Sequence, residues 1–250
     1  MQKVNTFQLL GAMGVATAAA LTGAGEASAV LIDDFNTTTQ EVQDGGNFPV
    51  FPTSSVGPAA FTGTDLVNAQ RTLTTEQENM ESSTVGILAT VNSVNSGQFI
   101  VDSADGVDGV TTLTYTPSSG TFDLLNGSSV DVTAVAIGFE VLSADMDIDF
   151  SASIADESSE TATFSTTLGT APPSFQTLFD LADFTNFANV DFENVTEIIF
   201  TFDTPASGDI RIDTIEATEM PFEAETSAGL VLLGGWYAWK RWKTRCTQAN

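Results

Sequence analysis

Carboxylates are the side chains abundant enough here to do chemistry, and three stretches bring them close together. "ADMDIDF" places Asp145, Asp147 and Asp149 at alternate positions, "VDSADGVDG" sets Asp102, Asp105 and Asp108 around a turn, and "LIDDF" puts Asp33 beside Asp34. Donor sets made only of oxygen suit hard cations such as calcium, which takes about 6–8 oxygens at ~2.3–2.6 Å. The alternating ladder is a poor cage, because residues two apart on a strand stand roughly 6.6 Å from each other. It reads as the wet face of a strand. The Asp102–Asp108 turn departs from EF-hand spacing, and Gly and Asp are also what a plain turn uses. A cation loop and an ordinary turn both stay open there.

Catalysis finds little support in the same residues. From Val30 to Met220 there are 30 acidic residues, so a glycosidase-type pair separated by ~5–9 Å arises by chance. There is no His, and the only Cys is Cys246. That excludes Ser-His-Asp machinery, a Cys-based metal cluster, the usual zinc sites and any intramolecular disulfide. Sugar platforms are also scarce: no Trp precedes Trp236, and Tyr115 is the one Tyr before the tail. A sugar would have to be held by hydrogen bonds from Asn, Gln, Asp and Ser. The expectation is a non-enzyme with no obligatory cofactor.

Against those 30 acids stand only Arg71 and Arg211. Such a surface repels phosphate backbones, which argues against nucleic acid as a partner. The 18 Phe of the chain, with many Val, Ile and Leu, supply enough apolar surface for a folded core.

Both ends carry signals. The start combines Lys3, an apolar run from about Phe7 to Leu21, and the small-residue triplet Ala27-Ser28-Ala29. That order of charge, apolar run and small residues is the pattern of a secretory signal peptide over residues 1–29, with cleavage after Ala29. A retained anchor is the competing reading, disfavoured because the run is short of the ~20 residues that cross a bilayer. At the other end, 13 uncharged residues from Ser227 to Trp239 precede Lys240, Arg241, Lys243 and Arg245. Aromatic residues at a headgroup boundary followed by cations suit a short transmembrane helix with a cytoplasmic basic end. An amphipathic helix docked on the domain is the alternative.

The tail resembles a PEP-CTERM sorting signal of the PFE type: the motif Met220-Pro221-Phe222-Glu223, a spacer, a short apolar segment with Gly234-Gly235, and the basic cluster. In that family an exosortase in the inner membrane processes the tail and delivers the ectodomain to the cell surface or matrix. The resemblance therefore implies an exosortase-type partner, membrane anchoring before processing, and a surface or extracellular destination. The PFE form implies a cyanobacterial source. Residues 220–250 form the sorting tail and 30–219 the ectodomain.

The elements that must position any site are strands. "ADMDIDFSASIAD" alternates Met146, Ile148, Phe150, Ala152 and Ile154 against Asp and Ser, the period of a strand with one buried face. "VLIDDF", "STVGILATV", "GQFIVDS", "VTTLTYTP", "SVDVTAVAIGFEVL", "ETATFSTTL", "VTEIIFTFD" and "GDIRIDTIEA" are further candidates, separated by polar turns. Only "PSFQTLFDLADFTNF" carries helical spacing, at Phe175, Leu178 and Phe179. A short helix or an irregular loop is expected there. About nine short strands joined by tight turns predict a two-layer antiparallel sandwich, with a jelly roll preferred.

The opening "LIDDF" and the closing "FENVTEIIFTFDTPASGDIRIDTIEA" are similar to the first and last strands of exported jelly rolls in the carbohydrate-binding-module class. That resemblance implies a structural calcium where the terminal strands meet, at Asp33, Asp34, Asp209 and Asp213. The functional expectation is a non-catalytic surface or matrix protein associated with exopolysaccharide. The alternative is a calcium-dependent carbohydrate-binding module.

Overall fold

The computed structural model describes residues 29–44, 53–78, 86–92, 96–127, 131–170 and 175–219. Two antiparallel sheets carry them. One runs β11 (Phe175–Asp180), β8 (Val135–Ala144), β13 (Asp209–Glu219), β6 (Phe99–Ser103), β5 (Ile87–Val91) and β2 (Gln40–Asp44), with β1 (Ala29–Asp33) also paired to β13. The other runs β10 (Thr161–Leu168), β9 (Ile148–Asp156), β12 (Val195–Thr204), β7 (Gly109–Pro117), β4 (Ala69–Gln77) and β3 (Ser54–Ala60). The first and last strands zip together, with Ala29 opposite Thr218.

Alternation explains how each strand sits. On β12, Ile198, Phe200 and Phe202 are fully buried while Ile199, Thr201 and Asp203 face outward. On β7 the buried set is Thr111, Leu113 and Tyr115, with Thr112 and Thr114 outside. The inner faces meet through Phe rings. Phe139 on β8 contacts Phe150 on β9 and Phe200 on β12, each at 5.1 Å between centroids and close to edge-on. Such pairs add about 0.5–1.5 kcal/mol beyond the area they bury, so this cluster binds sheet to sheet.

Two expectations are corrected. The segment read as a short helix or irregular loop begins as strand β11 and continues through two 3-10 turns, Leu181–Asp183 and Phe187–Asn189. Pairing along β8 imposes a two-residue period there: Phe179 is buried and Leu178 is exposed. Met146, expected on the buried face, is exposed, because β9 begins only at Ile148. Among the described residues no helix is long and apolar enough to cross a membrane. The transmembrane segment expected in the tail lies outside the described residues.

Candidate functional site

The outer face of the six-stranded sheet is built mostly from hydroxyls. Register aligns Ser165, Ser151, Thr201, Thr112, Thr74 and Ser55 in one row that crosses β10, β9, β12, β7, β4 and β3. The adjacent row reads Thr163, Ser153, Ile199, Thr114 and Thr72. Ten of these eleven positions are Ser or Thr, and none is buried. Thr is favoured on strands for its β-branch, and its methyl packs on the sheet while its hydroxyl reaches water. Neighbouring hydroxyls stand about 4.8 Å apart across strands and about 6.8 Å apart along them.

Charge enters only beside these rows. The next row holds Thr167, Asp149, Asp203, Val110 and Glu76. Asp149 and Asp203 are directly opposite each other, an arrangement that repels. The Asp203 carboxyl is pushed up from the usual aspartate value by partial burial, then by Asp149 and Asp108. Glu78 is pushed up as well, by partial burial and by Asp203, Asp108 and Glu76. Asp149 Oδ1 accepts from the Thr167 hydroxyl at 2.8 Å, which holds both side chains at the rim.

Where β9 and β10 pair, the face is hollowed. A groove of about 430 Å³ lies over Ser151, Ser165, Thr167, Thr201, Asp149 and Asp203. A second, of about 390 Å³, lies over Ser151, Ser153, Thr163, Ser165, Asp183 and Thr185. They share Ser151 and Ser165, so they form one trough along the strands. Phe164 belongs to the inward set of β10: it pairs with buried Ala152, is half-buried against the core and stacks on Phe184 at 5.2 Å. Among the described residues no aromatic side chain is exposed. The trough can therefore hold a polar ligand by hydrogen bonds and offers no stacking platform.

The carboxylates singled out from the sequence are spread over separate tasks. Asp33 is fully buried and salt-bridged to Arg71, accepts from the Tyr115 hydroxyl at 3.0 Å and from the Phe35 N–H at 2.8 Å. Burial pushes its carboxyl up, opposed by Arg71 and these donors. Asp34 accepts from the Asn36 N–H. Asp209 accepts from the Ser103 N–H and faces Asp102 across β6, while Asp213 is half-buried in β13. Asp145 accepts from the Asp209 N–H, Asp147 from the Thr170 N–H, and Asp105 from the Ser207 hydroxyl. Among the described residues no group of three or more acids is placed to hold a metal ion. Ala29 opens β1. Ala27, Pro221, Phe222, Glu223, Lys240, Arg241, Lys243 and Arg245 lie outside the described residues.

Sequence reasoning weighed Asp and Ser as sugar contacts but missed the hydroxyl rows. Their signal was the recurrence of Thr or Ser at every second position of "TFSTT", "SAS", "TTLT" and "TLTT"; only the register lines these segments up.

No family model and no curated protein matches the chain. Among solved structures, PfGH50B shares 13% identity over 53% of this chain and 21% of its own, with a TM-score of 0.39. The chain thus spans about a fifth of that protein's length. The chain is similar to the family 11 carbohydrate-binding module from Clostridium thermocellum solved with a β-1,3-1,4-mixed-linked tetrasaccharide: 13% identity, 78% of this chain, 98% of that one, TM-score 0.37. It is similar also to the family 30 carbohydrate-binding module of the cellulosomal cellulase Cel9D-Cel44B of the same organism: 15% identity, 72% of this chain, 98% of that one, TM-score 0.38.

Proposed function

We propose that the sandwich is a non-catalytic glycan-binding module of jelly-roll type that holds neutral, extended polysaccharide on the outer face of its six-stranded sheet. The observation that carries this is the run of ten hydroxyls in eleven aligned positions, ending in the β9–β10 trough. A hydroxyl offers one donor and two acceptor lone pairs, the same groups a sugar presents. The ~4.8 Å step between strands is close to the length of one sugar ring, so an extended chain laid across the strands meets a hydroxyl at each unit. Flanking Asp149, Asp203 and Glu76 repel uronate, sulfate and phosphate groups. Each hydrogen bond exchanges with water for only about 0.5–1.5 kcal/mol net, so the face favours long chains that make many contacts.

The setting comes from the two ends of the sequence. The chain is exported, held in the inner membrane by its tail, and processed near Pro221 by an exosortase-type enzyme for release to the surface or matrix. Mass measurement of the mature protein tests this: termini at Val30 and near Pro221 are expected, and an intact Asn250 end overturns the processing.

Sedimentation with insoluble neutral glucans, galactans and a uronate-rich polymer, with and without chelator, tests the binding. Neutral polymers are expected to retain the protein irrespective of calcium, and the Thr201→Val/Thr112→Val variant to bind about tenfold more weakly. Retention only on the acidic polymer, or undiminished binding by the variant, overturns the assignment. Release of reducing ends, lost in Asp203→Asn, overturns its non-catalytic part.

A further inference from the structure

The hydroxyl row does not stop at β10. The turn after β11 docks on the free edge of that strand: the Thr163 N–H donates to the Thr185 carbonyl at 3.2 Å, and the Thr185 N–H to the Thr163 carbonyl at 2.8 Å. This bridge sets Thr185 opposite Thr163, so the row through Ser153 and Thr114 gains another hydroxyl at its end. The turn is firmly held. Leu181 and Phe184 are buried, Phe184 stacks on Phe164, and the Asn186 side-chain amide donates to the Thr161 carbonyl at 3.1 Å. Between the two buried anchors stands Asp183, exposed and lining the same groove as Thr163, Thr185 and Ser165. The other carboxylates of the trough are occupied with each other and with Thr167. Among the described residues none donates a hydrogen bond to the Asp183 carboxylate.

We infer that Asp183 is a specificity-determining residue that reads two adjacent free hydroxyls on the sugar unit at the end of the row. This rests on the reading of the outer face as a glycan site. A carboxylate only accepts, and its two oxygens lie side by side, so it takes one hydrogen bond from each of two neighbouring hydroxyls on one ring. A Ser or Thr hydroxyl can donate or accept and discriminates little. Charge-assisted bonds are roughly twice as strong as neutral ones, so the pair is worth about four of the neutral contacts along the row. Because the turn is already fixed, little ordering is lost when the ligand arrives. The consequence is selection by linkage. Inner units of a β-1,4-linked hexose chain keep adjacent free hydroxyls on C2 and C3. In a β-1,3-linked chain the free ring hydroxyls, on C2 and C4, are separated by the linked C3. Asp183 therefore favours the first.

The test is titration of the purified full chain, in mild detergent, with β-1,4-linked and β-1,3-linked gluco-oligosaccharides of equal length. The natural chain is expected to bind the β-1,4-linked series about tenfold more tightly. Asp183→Asn, which keeps the size of the side chain, should melt with the natural chain and lose that preference, its affinity for the β-1,3-linked series unchanged. Thr185→Val should weaken both series alike and keep the preference, which separates the hydroxyl of the turn from its carboxylate. Equal binding of the two series by the natural chain, or a preference that survives Asp183→Asn, overturns the role of Asp183 and leaves the glycan site standing. Binding of neither series, nor of any other neutral polymer, overturns both.

Discussion

Arg71 on β4 and Asp33 at the end of β1 form a salt bridge between the two sheets, with neither side chain exposed. Taking both ions from water is expensive, and the bridge is tolerable only because every side of it is occupied. Tyr115 and the Phe35 N–H complete the carboxylate, Gln40 and two carbonyls complete the guanidinium, and Phe35 and Phe61 pack on its faces. The bridge fixes how β1 lies against the sheet behind it.

Removing one partner should therefore cost far more than removing both. Asp33→Asn leaves a buried guanidinium without its counter-charge, and a loss of about 3–5 kcal/mol is expected by urea denaturation. Asp33→Asn combined with Arg71→Met removes the stranded charge and should lose clearly less than the sum of the single changes. Additive losses would show that the pair does not act as a unit.

Gly57 is tied to the same region. Its φ is +118°, and a Cβ there would sit 2.6 Å from the Arg71 carbonyl oxygen and 2.9 Å from the Thr72 Cα. Both contacts are backbone, so they do not yield as a flexible side chain does. Gly57→Ala is expected to destabilise by about 1–3 kcal/mol, read as a lower denaturation midpoint with an unchanged slope.

Two carboxylates should move stability with pH in opposite directions. Asp156 accepts three backbone N–H groups, from Ser158, Glu160 and Asp191, and these hold its carboxyl below the usual aspartate value. Its contribution is present above the unfolded-state value and is lost as pH falls through the lower folded-state value. Asp156→Asn should remove that acid-side dependence. Asp203 is raised: the folded state binds its proton more tightly than the unfolded state, so stability falls as pH rises between the usual aspartate value and the raised one. Asp203→Asn should stabilise at neutral pH by less than about 1 kcal/mol and give no gain at pH values where both states are protonated. Denaturation midpoints across that range check both.

Most strands whose inward residues are apolar were legible in the sequence, β11 excepted, because Phe175, Leu178 and Phe179 also fit a helical spacing; β2 and β4, which turn polar residues inward, were not. β7, β9, β12 and β13 alternate Val, Ile, Leu or Phe with Thr, Ser or Asp, and each was read as a strand. β4 turns Arg71, Thr75 and Gln77 inward, and β2 turns Gln40 and Asp44 inward. The period of two is present in both, but a hydrophobicity pattern does not reveal it, because the buried set is a polar network. The same network hid the fate of Asp33: the sequence offers a carboxylate at the first strand, and only the fold shows that its cation is Arg71. The outer face was half legible. Each Thr-Ser alternation is visible within its strand, but the rows exist only through register between strands far apart in sequence.

Thr201 and Thr112 stand opposite each other at the centre of the hydroxyl row. Valine keeps the shape and β-branch of threonine while removing the hydroxyl, so Thr201→Val and Thr112→Val preserve strand preference. Both side chains face outward and are half-buried. Neither hydroxyl forms the interior hydrogen bonds that hold the sheets, so each change should leave the unfolding free energy within about 0.5 kcal/mol of the natural chain's. If the face binds sugar through its hydroxyls, each loss removes one bond of about 0.5–1.5 kcal/mol, or two- to tenfold in affinity. The effect should be the same for both positions, although they lie on different strands. Titration of a neutral oligosaccharide series into the single variants measures this. Affinity that tracks stability, or that responds only to changes at Asp149 and Asp203, would place recognition in the acidic row and not in the hydroxyls.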